Sequence, residues 1–272
     1  MRPRRGARPT AGRGRAAFLS VLLVALASCG GSGGSASQHQ TIRVAAASDL
    51  RFALEAISKE FRQSHPGVAL STTYGSSGSF FSQIESGAPF DVYLSADVTY
   101  PRQLLAQALA VPGSEFDYAV GRIVVWVPDG SPIPVETLGI RAVTDPRVKK
   151  VSIANPEHAP YGKAAVAAME HFGVYQTVKS ELVLGENISQ ALQFVQTGGA
   201  DVGIVALSLA KAPGAKGHFW EIPTDAYPPI QQGGVILRSV RDLTAARAFA
   251  AFMVSPQGRA TLRRFGFSTS GP

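Results

Sequence analysis

Four times in this chain a short apolar run ends in small, polar or glycine-rich residues, and a helical pattern starts at once. The first junction is Ala46-Ala47-Ser48-Asp49, ahead of the helix carrying Phe52. The second is Tyr74-Gly75-Ser76-Ser77-Gly78-Ser79. The third is Asn155-Pro156-Glu157-His158-Ala159-Pro160-Tyr161-Gly162, and the fourth is Gly185-Glu186-Asn187-Ile188-Ser189. A helix start leaves backbone N–H groups without intrahelical partners, with the positive end of the helix dipole behind them. Serine hydroxyls add donors, and glycines let the backbone approach closely. Any one junction is adequately read as ordinary N-capping by Ser, Asp or Asn. Two such ends from each half of the chain, facing one cleft, would enclose a small anion in neutral hydrogen bonds.

The usual catalytic signatures are missing. There is no Gly-x-Ser-x-Gly elbow, no Walker A sequence and no His-Glu-x-x-His. The five histidines, His39, His65, His158, His171 and His218, show no ligand spacing, and His158 reads as a surface or capping residue. An enzyme would need an acid–base pair in the cleft. The junctions offer Asp49, Glu157, His158 and Glu186 for that, which read more simply as solvated loop residues. The expectation is therefore not an enzyme, with no catalytic residues and no cofactor.

The elements that must position these junctions alternate between strand and helix. Ile42 to Ala47 reads as a strand, followed by a helix through Leu54, Ile57 and Phe61 that Pro66-Gly67 breaks. Val68 to Tyr74 is a second strand, Ser79 to Ser86 a helix, Phe90 to Leu94 a third strand and Arg102 to Ala110 another helix. Ile123 to Val127 is apolar throughout, as a strand buried on both faces should be. Val151–Ala154, a helix over 163–171, Leu182–Leu184, a helix over 189–196 and Asp201–Val205 continue the alternation. The segment 234–237 reads as a strand, before helices over 243–254 and 256–264. Such βαβ alternation predicts mostly parallel sheets flanked by helices. A faint echo links Gly87-Ala88-Pro89-Phe90-Asp91-Val92 with Gly199-Ala200-Asp201-Val202, though common α/β junctions explain it about as well.

Charge supports secretion more than a polyanionic partner. The net charge is +7, but Arg2, Arg4, Arg5, Arg8, Arg13 and Arg15 lie in a start without acidic residues; removing these six leaves +1 for the rest. With no basic stripe, nucleic-acid binding is excluded. After the arginines comes a 12-residue apolar run, Ala16 to Ala27, too short to span a membrane. It leads into Leu26-Ala27-Ser28-Cys29-Gly30, which holds the only cysteine. This resembles the lipobox of bacterial lipoproteins, which implies lipidation at Cys29 and an anchor on the extracytoplasmic face of the membrane. With Cys29 so used, about 244 residues remain with no other thiol, no disulfide and no cysteine-based metal site. The stretch to Gln40 is a Gly/Ser-rich flexible linker.

From residue 41 to 267 the motifs resemble those of the periplasmic molybdate-binding proteins of ABC transporters. The resemblance is carried by Val44 to Leu54, Tyr74 to Gly78, Gly87 to Asp97, Asn155 to Gly162, and Ser255-Pro256-Gln257-Gly258 with Phe265-Gly266-Phe267. It implies the two-lobed α/β type II periplasmic-binding-protein fold, with a ligand cleft between lobes. The expected organisation is a signal peptide over 1–28, a linker over 29–40, lobe 1 over 41–121, lobe 2 over 122–232 and a return to lobe 1 over 233–272. Positions matching the family's motifs imply that Ser48, Asp49, Ser77, Tyr161 and Ile188 bind molybdate, and tungstate also. The contact runs through the oxyanion's oxygens, with no direct protein–metal ligands. Some members carry a tyrosine after the late Gly-Ile-Val strand, where this chain has Ala206; Tyr161 is expected to supply the replacement hydroxyl. An ABC permease, a monomeric state and closure hinged near Gly121 and 231–234 are implied as well, with Trp126 as a reporter of closure.

Asp49 is the ambiguous member. An inward carboxylate would repel a dianion in a dry cleft, so its side chain is expected to cap the helix and turn outward, leaving only its N–H at the ligand. An inward Asp49 would instead suit a ligand that keeps a proton, such as hydrogen phosphate. The alternatives are a binder of sulfate or phosphate, a dehydratase-like enzyme on the same two-lobed frame, or an adhesion or signalling lipoprotein without a ligand.

Overall fold

The computed structural model describes residues 40–269. The arginine-rich start, Cys29 and most of the expected linker lie outside these residues. Gln40, read above as the end of the linker, already belongs to a strand, because it pairs with Val68.

Among the described residues ten strands form two five-stranded sheets: β1 (Gln40–Ala47), β2 (Val68–Gly75), β3 (Val92–Ser95), β4 (Phe116–Gly121), β5 (Ile123–Pro128), β6 (Val151–Ala154), β7 (Leu182–Gly185), β8 (Val202–Ala206), β9 (Gly217–Glu221) and β10 (Ile230–Ile236). The first sheet runs β2-β1-β3-β10-β4 and the second β7-β6-β8-β5-β9. In each, three parallel strands are followed by an antiparallel one, β10 or β5. The order is the same in both, so the lobes share one topology.

The echo between Asp91 and Asp201 is part of that repeat. The Asp91 carboxylate accepts the N–H of Arg43, and the Asp91 N–H donates to the Arg43 carbonyl. In the other lobe the Asp201 carboxylate accepts the N–H of Lys150, and its own N–H donates to the Lys150 carbonyl. Each aspartate thus stands just before a strand, β3 or β8, and bonds back to the neighbouring strand, Arg43 within β1 or Lys150 just before β6. Asp91 also holds the Arg43 guanidinium, Nη2 to Oδ1 at 2.7 Å. Burial alone would raise the Asp91 pKa, but the bonds from Arg43 and the Arg241 amide outweigh it and hold the carboxyl below its ordinary range.

Apolar periodicity builds the helices that cover the sheets. Leu54, Ile57 and Phe61 on helix Arg51–Ser64 are buried against the first sheet with Phe249 and Met253 of helix Leu243–Met253. Ser255 caps helix Pro256–Arg264 by accepting the Gly258 N–H, with Pro256 in the first turn, where its missing N–H is harmless. Trp126 is fully buried within β5 in the second core, which makes it a poor reporter of movement between lobes.

The chain crosses between sheets at Arg122 and again over 222–229. The second crossing precedes the expected one. Gln231 and Gln232 already pair with Val120 and Ala119, so Ile230–Gln232 belong to the first sheet. No helix among the described residues is long and apolar enough to cross a membrane.

Candidate functional site

All four junctions line one small cavity between the sheets. Its wall comprises Ala47, Ser48 and Asp49 at the end of β1, Gly75, Ser76 and Ser77 at the end of β2, Ala96 after β3, Ala159, Pro160 and Tyr161 after β6, and Ile188 after β7; the free space between them is only about 10 Å³. Each of the five residues expected at the site is therefore there. Ser77 and Ile188 are the first residues of helices Ser77–Glu85 and Ile188–Gln196, and Tyr161 is the second of Pro160–His171. Their N–H groups belong to first turns, which have no intrahelical acceptor. Ser76 and Asn187 cap two of these helices by accepting deeper first-turn N–H groups, Ser79 for the one and Ser189 and Gln190 for the other.

The two serine hydroxyls are oriented by what they accept. Ser77 Oγ accepts the Ala96 N–H at 2.9 Å, and Ser48 Oγ accepts the Ser189 N–H at 3.3 Å. A hydroxyl has one proton to donate, so with an N–H already on each oxygen, each serine keeps its proton for the cavity. Tyr93 Oη donates to the Ser77 carbonyl and fixes that turn from below.

Asp49 does not turn outward. It is 1% exposed and lies within the short turn Ser48–Leu50. Its Oδ2 accepts Tyr161 Oη at 2.8 Å and Gln232 Nε2 at 2.6 Å, and Gln232 Nε2 also reaches Tyr161 Oη at 3.0 Å. Outward capping loses because two donors converge on the buried carboxylate, Tyr161 from the second lobe and Gln232 from β10 of the first. Asp49 Oδ1 and Gln232 Oε1 are buried without a hydrogen-bond partner. Burial pushes the Asp49 pKa from 3.8 up to about 6, with Gln232, Tyr161 and the Asp49 and Leu50 amides holding it from rising further. The expectation for Tyr161 changes with it. Its hydroxyl donates to Asp49, so what it offers the cavity is its backbone N–H.

The lobes meet all around this cavity. Ser208 Oγ donates to the Asp49 carbonyl and Ser189 Oγ to the Ser48 carbonyl. On the other rim the Gly78 N–H donates to the His158 carbonyl at 2.9 Å, His158 Nδ1 lies 2.8 Å from Ser76 Oγ, and Ser79 Oγ donates to Glu186. Gly121, at the first crossing, abuts the Tyr161 hydroxyl so closely that a Cβ would collide with it. Glu157 and Glu186 are exposed, as read from the sequence, whereas Asp49 is not and His158 is a contact between lobes. No charged side chain other than Asp49 lines the cavity. Among the described residues no group of three or more His, Cys, Asp or Glu is placed to hold a bare metal ion.

Gln232 escaped the sequence reading. A polar residue at an inward position of an apolar strand was the available signal, and it required knowing that β10 starts at Ile230.

The family model of the bacterial extracellular solute-binding proteins matches residues 42–268. The chain belongs to this family. The molybdate-binding protein ModA of Rhodobacter capsulatus is 42% identical over 205 residues, 75% of this chain and 79% of that one. The ModA of Azotobacter vinelandii is 39% identical over 251 residues, covering 92% and 97%. The solved periplasmic molybdate-binding protein of A. vinelandii superposes with a TM-score of 0.76 at 30% identity, over 85% of this chain and all of that one. The two sheets with their shared topology are thus the two lobes of the periplasmic-binding-protein fold, and members of this family bind solutes for transport.

Proposed function

We propose that this chain captures molybdate, and tungstate also, outside the cytoplasmic membrane and delivers it to an ABC permease. The observation that carries the reading is the convergence of four helix-start junctions on one cavity whose serine hydroxyls each retain a proton to donate. Ser48 and Ser77 give hydroxyls and Tyr161 and Ile188 give backbone N–H groups. The oxyanion is held through its oxygens as cargo, with no protein–metal bond and no cofactor. Relatives of known name at 39–42% identity support molybdate over other anions. A lipid anchor at Cys29 keeps the monomer at the membrane surface, supported by the lipobox-like run before it.

The inward Asp49 favours a second reading, a ligand that keeps a proton, such as hydrogen phosphate. An ionised carboxylate would accept that proton but repel a bare dianion. Calorimetric titration of the purified protein with molybdate, tungstate, sulfate and phosphate decides between them. The first reading requires molybdate to bind at least a hundredfold more tightly than phosphate; the reverse order overturns it.

A further inference from the structure

Asp49 is the one charged side chain in a cavity otherwise built of donors, and a dianion beside its carboxylate would meet like charge in a site with little water to screen it. The geometry contains a way out. Oδ2 already accepts two hydrogen bonds, from Tyr161 across the cleft and from Gln232 on β10, as the carbonyl oxygen of a neutral acid can. Asp49 is part of the cavity wall, and its Oδ1 is buried without a hydrogen-bond partner that meets ordinary geometry. We infer that Asp49 receives the oxyanion as a neutral acid: binding draws one proton onto Oδ1, which donates to a ligand oxygen, while Tyr161 and Gln232 hold Oδ2. The proton comes from solvent, no bond other than O–H is made, and the complex carries one negative charge less than the sum of its parts. Tyr161 and Gln232 are positioning residues for this step, since they decide which oxygen is free.

The surroundings leave Asp49 as the group that titrates. Facing it are Tyr161 from the helix after β6, Tyr118 from β4, Gln232 from β10 and Ser208 from the helix after β8. Both tyrosines are held well above their ordinary range by burial and stay neutral. Asp49 itself already sits near pH 6 without ligand, so a nearby dianion has only to move it further up. His158 and Glu186 are the titratable side chains at the rim, where His158 bonds Ser76 and faces Glu186.

This inference rests on the oxyanion reading, and the test separates the two. Molybdate is titrated into the protein by calorimetry at pH 6.0 to 8.5, roughly the range over which such a carboxyl would titrate, in buffers of different ionisation enthalpy. Close to one proton should be taken up per molybdate at the alkaline end, with affinity falling toward tenfold per pH unit, roughly the slope of one linked proton. Asp49→Asn should bind molybdate with near-zero uptake and a flat profile, whereas His158→Gln should keep the uptake. Molybdate binding by the wild-type protein without proton uptake overturns the inference and leaves the oxyanion reading standing, whether or not the Asn variant folds. Uptake that persists in Asp49→Asn overturns it too. Failure to bind molybdate at all overturns the reading beneath it.

Discussion

Tyr161 Oη donates to Asp49 Oδ2 at 2.8 Å, and the two residues, 112 positions apart, come from opposite lobes. The bond therefore ties the two lobes together across the cavity. It holds the one carboxylate that lines the cavity.

Tyr161→Phe keeps the ring and removes this bond. A buried neutral hydrogen bond contributes about 1 kcal/mol, so molybdate affinity should fall by roughly fivefold to tenfold. The ligand-free melting temperature should move little by comparison, because each lobe keeps its own core. Calorimetry on the variant checks this. Unchanged affinity would show that the Tyr161 hydroxyl does not contribute to ligand binding.

Asp49 makes stability fall with rising pH. Its folded pKa of about 6 lies above the ordinary 3.8, so between those values the folded state holds more protons than the unfolded one. Stability is then fully present below about pH 4, declines as pH rises through about 6, and stays lower beyond, by about 3 kcal/mol at most. Asp49→Asn should raise the thermal midpoint at pH 7.5 and hardly change it at pH 4. Equal shifts at both pH values would mean that desolvation of the carboxyl does not destabilise the fold.

Asp91 and Asp201 occupy matched positions but differ in burial. Asp91 is almost fully buried against a guanidinium, whereas Asp201 is exposed. Asp91→Ala should cost about 3 kcal/mol or more, since it strands Arg43. Asp201→Ala should cost only about 1 kcal/mol. Urea unfolding of both variants tests the order, and a larger loss at Asp201 contradicts it. Asp91's contribution should also vanish as pH drops through its lowered folded pKa.

Gly78 sits where the lobes touch. A Cβ there would lie 2.7 Å from the His158 carbonyl oxygen, which is backbone and cannot swing aside. Gly78→Ala should hold the lobes apart, weakening molybdate binding by more than tenfold. Small-angle scattering with saturating molybdate should then report a wider particle than the wild-type complex. A variant that closes normally would show that the second rim yields.

Much of the framework was legible because local rules govern it. The Pro66-Gly67 break, the Ser255-Pro256 helix start and the all-apolar β5 are set by neighbours within a turn or a strand, and Val151–Ala154 and Pro256–Arg264 lie where the pattern put them. β4 and β9 were not legible. Phe116–Gly121 and Gly217–Glu221 are short and carry charge, and they become strands only because β10 and β5 offer them an edge.

The division in the candidate site follows the same line. Sequence alone determined that four helix starts rich in Ser and Gly would be available, since capping and chain reversal are decided by adjacent residues. Only the tertiary structure decided that Asp49 faces inward, that Gln232 meets it from 183 residues away, and that Tyr161 spends its hydroxyl on a carboxylate. Those outcomes depend on which donors the fold brings to a buried oxygen, and no local pattern encodes a partner that far along the chain.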